Sequence, residues 1–119
     1  MKIARMLLPV VLATPLAAQE YRTGDTHVFQ AVYECARGVM IPATYVNTDA
    51  GTSLAVLQIE GRQVAMRDAP TGSGARYVSI DEQVGYRWYT KGDEAFLAYL
   101  AADDAAEEET LLRDCRMLN

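Results

Sequence analysis

Thr26-His27-Val28-Phe29-Gln30-Ala31-Val32-Tyr33-Glu34-Cys35 is the stretch whose periodicity decides the fold. Successive side chains of a strand point to opposite faces, so Phe29, Ala31, Tyr33 and Cys35 share one face and Val28, Gln30, Val32 and Glu34 the other. From Thr26 onward the chain shows few ten-residue segments with helical periodicity. The reading is a strand over Thr26–Cys35 that ends on a cysteine.

Outward from that strand, short runs rich in Val, Ile, Thr and Tyr recur at regular intervals, broken by Gly, Asn or Asp. They predict seven more strands, at Val39–Asn47, Thr52–Ile59, Arg62–Arg67, Ala75–Ile80, Gly85–Thr90, Ala95–Ala101 and Thr110–Met117. Thr48-Asp49-Ala50-Gly51, Glu60-Gly61 and Lys91-Gly92-Asp93 read as turns with glycine at a positive φ. Gln19 to Asp25 is polar and reads as a loose lead-in. Near the C-terminus, Phe96, Ala98 and Leu100 alternate with Leu97 and Tyr99. Sequential hairpins of this number predict an all-β fold, a small eight-stranded antiparallel β-barrel, because closure removes the exposed sheet edges. Phe29, Leu54, Val56, Trp88 and Leu97 are the expected filling of its interior.

The first residues point to export. Lys2 and Arg5 form a positive start, Met6 to Leu16 an apolar stretch broken by Pro9 and Pro15, and Ala17 and Ala18 a small-residue cleavage site. Residues 1–18 are thus read as a signal peptide and residues 19–119 as one domain. The apolar stretch is shorter than the roughly 20 residues a membrane-crossing helix needs. The first cysteine is Cys35, well past the cleavage site, so no thiol is placed for lipidation and a soluble periplasmic protein is expected. Removing two positive charges from a net −5 leaves −7. That balance excludes a nucleic-acid partner and suits a basic protein partner. Cys35 and Cys115, in a chain bound for an oxidising compartment, are expected to form one disulfide. One histidine and two distant cysteines give no zinc-ligand spacing, and no cofactor motif is present.

Two stretches carry a family resemblance. Ser73-Gly74-Ala75-Arg76-Tyr77 resembles the SGxxY motif, and Trp88-Tyr89-Thr90-Lys91-Gly92-Asp93-Glu94-Ala95 resembles the aromatic-x-x-Lys-Gly motif, of the periplasmic and membrane-bound inhibitors of c-type lysozyme, the MliC/PliC family. Tyr33-x-Cys35, Gly38 and Thr44-Tyr45-Val46-Asn47 resemble the family's first hairpin, and Cys115 stands where its second cysteine would. The missing lipidation cysteine resembles the soluble branch. Pro70-Thr71-Gly72 gives a more glycine-rich loop than the family pattern.

The resemblance implies a non-enzymatic inhibitor that inserts a loop into the active-site cleft of a basic partner, c-type lysozyme. It implies that Ser73 hydrogen-bonds one catalytic carboxyl group and that Lys91 pairs with a carboxylate, Thr90 adding a hydrogen bond. Gly74 and Gly92 would permit the tight backbone from which these side chains project. Tyr77 has two readings, supporting the loop or lying against the cleft wall. Arg76 also has two, pairing with the partner or with acids of its own sheet. The acidic run Asp103–Glu109 is a solvated connector or a steering patch. Apart from the resemblance, Ser73 and Lys91 read as ordinary loop residues, Trp88 as core, and His27 as a residue without a role.

Two other function classes compete. An enzyme lacks support, since no nucleophile–base pair forms around a histidine and no phosphate loop exists. A small-ligand carrier is the main alternative, because an eight-stranded barrel can enclose one ligand. Whether the protein is a monomer or a homodimer is left open by the sequence.

Overall fold

The computed structural model describes Pro9 and residues 18–118. The signal-peptide segment lies outside them apart from Pro9 and Ala18. Nine strands form one antiparallel sheet in chain order: β1 (Gln19–Thr23), β2 (Thr26–Glu34), β3 (Met40–Thr48), β4 (Ser53–Ile59), β5 (Arg62–Ala69), β6 (Ala75–Ser79), β7 (Tyr86–Lys91), β8 (Glu94–Tyr99) and β9 (Glu109–Met117). β9 returns to pair with β2 through Tyr33↔Met117 and Glu34↔Arg116, which closes β2 to β9 into an eight-stranded barrel. No helix of the described residues is long and apolar enough to cross a membrane.

The eight barrel strands coincide with the predicted ones to within two residues at each end. Turn chemistry explains why the breaks fall there. Between β4 and β5, Glu60 and Gly61 both take positive φ, 52° and 77°, the two-residue turn whose twist matches the flanking strands.

The lead-in expectation for residues 19–25 is corrected. Gln19–Thr23 is a strand, paired with β2 from Gln19↔Gln30 to Thr23↔Thr26. Its sequence, QEYRT, has no apolar alternation, and every residue in it is exposed. It forms because β9 covers only the far end of β2, so the rest of that edge would otherwise leave backbone donors and acceptors unpaired.

Core assignments are corrected in the same way. Trp88 and Leu97 are buried and Phe29 is partly so, but Leu54 points outward and Val56 is half-buried; Ala55, Leu57 and Ile59 face inward from that strand. The segment Ser53–Ile59 is apolar on both faces, so alternation alone does not choose its inner one.

Aromatic side chains fill the barrel. Trp88 meets Tyr33 edge-on with ring centres 5.1 Å apart, and Tyr45 lies 5.6 Å from Tyr77 and 6.2 Å from Phe29. Their polar ends satisfy one another: Trp88 Nε1–H donates to Tyr45 Oη at 2.8 Å, Tyr45 and Tyr33 hydroxyls meet at 2.9 Å, and Tyr77 Oη meets Ser53 Oγ at 3.0 Å. Burial holds Tyr33 and Tyr45 above the ordinary tyrosine value of 10.0. The Cys35–Cys115 disulfide, spanning 80 residues, ties the end of β2 to β9. On the chain-entropy model such a loop contributes about 4 to 5 kcal/mol.

Candidate functional site

The β5–β6 loop and the β7–β8 turn lie at the same end of the barrel, because antiparallel strands place alternate connections together. Register brings them into contact. Ala75, the first residue of β6, pairs with Thr90, and Lys91 pairs with Glu94 across the turn at Gly92 and Asp93. Gly74 has φ +69°, and a Cβ on it would lie 2.2 Å from the Thr90 carbonyl oxygen and 3.2 Å from Lys91 Cβ. Only a residue without a side chain allows the loop to approach β7 so closely.

Ser73 and Lys91 therefore stand on one rim, both exposed, over an open groove of about 660 Å³. Thr90, Glu94, Arg113 and Arg116 line it as well. The groove wall carries three cationic side chains, Lys91, Arg113 and Arg116, and two acidic ones, Glu94 and Asp114. This is a locally cationic place on a chain of net charge −5. Glu94 would be the natural neutralising partner of Lys91, but its carboxylate is held by Arg116 at 2.9 Å. Among the described residues no carboxylate oxygen lies within 4.0 Å of the Lys91 ammonium. An exposed ion pair such as Glu94–Arg116 adds little stability, about 0 to 1 kcal/mol, but it determines which cation is left available.

Other candidate residues fall into different surroundings. Gly92 takes φ +58° with open space around it, so within the chain it serves the turn. Tyr77 is buried, and its hydroxyl meets Ser53 Oγ at 3.0 Å. Among the described residues, Arg76 neither lines the groove nor lies within 4.0 Å of a carboxylate. Its Nε–H donates to Tyr89 Oη at 3.2 Å and its guanidinium lies 5.8 Å from the Tyr89 ring centre. Tyr89 stacks on Phe96 at 4.5 Å and donates to Glu108 Oε1 at 2.6 Å. Partial burial, then the Glu108 contact, raises the Tyr89 pKa. The end of the acidic run is thus tied to the sheet. The rest of it, through Ala106, forms turns and bends without a helix.

The sequence motifs did not point to Arg113 and Arg116. They come from the last strand, pinned beside the groove by Cys115 and by Met117 N–H donating to the Asp93 carbonyl at 2.8 Å. No local signal marks them, since their place depends on barrel closure.

Against this geometry, the family model described as membrane-bound lysozyme-inhibitor of c-type lysozyme, MliC, matches residues 33–106, from the end of β2 to the acidic run. The chain belongs to the MliC family. The matched residues include both rim motifs. The fold is similar to that of PliC-St, the periplasmic lysozyme inhibitor of C-type lysozyme from Salmonella typhimurium. That crystal structure matches with a TM-score of 0.64 and 32% identity, over 77% of this chain and 99% of the other. No curated protein sequence matches the chain. Membership rests on the barrel and the motifs together, and the family is one of inhibitors, not enzymes.

Proposed function

We propose that this protein inhibits c-type lysozyme by placing the Ser73–Gly74 loop and the Lys91 turn in the enzyme's active-site cleft. The observation that carries the reading is the contact of Gly74 with Thr90 and Lys91, which makes one projecting rim of two segments distant in sequence. Lysozyme works with two carboxyl groups, one protonated and one ionised, at roughly 5 Å separation. A hydroxyl both donates and accepts, so Ser73 fits a carboxyl in either state. The Lys91 ammonium, with no carboxylate oxygen within 4.0 Å among the described residues, supplies the complementary charge and gains strength as water leaves the cleft. Thr90 and the backbone at Gly92 border the same contact. Arg76 acts at a distance by fixing Tyr89, and Tyr77 props the loop from inside the barrel.

Net negative charge speeds the encounter with a basic enzyme, and the local positive rim then meets the acidic cleft. Export by the segment 1–18 would deliver the protein to the periplasm, where an incoming lysozyme is met. The carrier reading is not favoured, because Trp88, Tyr33, Tyr45, Tyr77, Met66 and Leu57 occupy the barrel interior.

The test is turnover of cell-wall substrate by a c-type lysozyme with the exported protein added, beside folded Ser73→Ala and Lys91→Ala variants. Inhibition by the parent that falls about tenfold or more in either variant, a loss of about 1.4 kcal/mol, is expected. Absence of inhibition at micromolar protein refutes the reading for that enzyme.

A further inference from the structure

β1 has a partner on only one side. Its inner edge pairs with β2, and among the described residues its outer edge pairs with no strand. The two-residue turn Gly24–Asp25 makes Thr23 and Thr26 the closing pair of the β1–β2 hairpin. Hydrogen bonding alternates along an antiparallel ladder, so Gln19, Tyr21 and Thr23 turn their backbone groups to β2. Glu20 and Arg22 turn theirs outward.

The side chains on this edge read the same from either copy. In an antiparallel pairing of two β1 strands about Tyr21, Glu20 of one copy faces Arg22 of the other, and Arg22 faces Glu20. Both pairs bring together the residues whose backbone groups point outward, so each pair exchanges two backbone hydrogen bonds. Tyr21, 65% exposed, meets its own counterpart at the axis as a close non-hydrogen-bonded pair. A shift of register in one direction sets Glu20 against Glu20, and in the other Arg22 against Arg22. Charge thus selects a single register. Arg22 is exposed, and its guanidinium meets His27 Nε2 at 2.9 Å and lies 4.0 Å from Asp49 Oδ1, surface contacts that pairing with Glu20 of a second copy would share or replace.

We infer that the outer edge of β1 is a homodimer interface, in which two exported copies join their sheets edge to edge about a two-fold axis at Tyr21. Such an interface is isologous, as a closed two-fold dimer requires, and it uses strand addition, the general mode by which an open edge recruits a partner. It is independent of the lysozyme reading, since neither Ser73 nor Lys91 belongs to it.

Sedimentation equilibrium of the exported protein, from micromolar to millimolar concentration, is the test. A small edge interface predicts a weak dimer, with a dissociation constant on the order of 100 µM. Glu20→Arg alone and Arg22→Glu alone each place like charges opposite one another at both positions, and each is expected to weaken self-association about tenfold or more. Mixed together, these two variants regain every opposite-charge pair and are expected to form a heterodimer. Arg22→Pro, which removes an outward-pointing N–H while leaving the bonds to β2, abolishes association. A parent that stays monomeric at about 1 mM overturns the inference. So does a dimer indifferent to all three substitutions, or a mixture of the two charge variants that associates no better than either alone.

Discussion

Gly74 lies so close under the carbonyl of Thr90 that a methyl group on it would come within 2.2 Å of that oxygen. This one contact joins the β5–β6 loop to the end of β7 and sets Ser73 beside Lys91. Gly74→Ala is expected to cost about 1 to 3 kcal/mol, since the backbone must leave its positive φ and back away from Thr90. Gly92→Ala, at a similar φ but in open space, is expected to cost only about 1 kcal/mol. Urea unfolding compares the two. If the rim is the inhibitory element, Gly74→Ala also loses more inhibition than Gly92→Ala when both are assayed folded.

Tyr45 joins two hydrogen bonds in the barrel, accepting from Trp88 Nε1 and meeting the Tyr33 hydroxyl. Tyr45→Phe leaves a buried indole N–H without an acceptor, which costs about 1 to 3 kcal/mol. Denaturant midpoints should fall with the slope unchanged, and lysozyme inhibition by the folded fraction should be that of the parent, because Tyr45 does not line the groove beneath the rim.

Alkaline pH should unfold the protein through the same pair. Tyr33 and Tyr45 ionise in the folded state only above the ordinary tyrosine value of 10.0, chiefly because burial disfavours the charged form. A raised folded-state pKa gives stability that is present below the unfolded value and lost as pH rises beyond it. Unfolding free energy is therefore expected to be insensitive to these groups up to about pH 9 and to decline above about pH 10. Tyr45→Phe should flatten that decline, and thermal melts across this range provide the measurement.

Reduction of Cys35–Cys115 should lower stability by about 4 to 5 kcal/mol on the chain-entropy model. The disulfide also fixes β9 beside the groove, so Cys35→Ala/Cys115→Ala protein that still folds is expected to inhibit less well. Equal inhibition by parent and double variant would show that Arg113 and Arg116 need no such anchor.

The sequence by itself determined the eight barrel strands, the turn at Glu60-Gly61 and the paired cysteines. Each of these is written locally, in a period of two, a positive-φ glycine, or the only two thiols of a chain read as exported. The two rim motifs were legible too, through family resemblance and not through any chemistry of Ser73 or Lys91 alone. Tertiary structure decided the rest. A polar QEYRT segment became a strand because β9 leaves part of the β2 edge open, which is a property of closure and not of those residues. Leu54 faces outward because both faces of Ser53–Ile59 are apolar, so only the neighbouring strands could choose between them. Arg116 captures Glu94 and leaves Lys91 without a carboxylate partner among the described residues, a choice made between residues 22 positions apart. Charge pairing of that kind depends on which side chains the barrel brings within reach, and no local pattern encodes it.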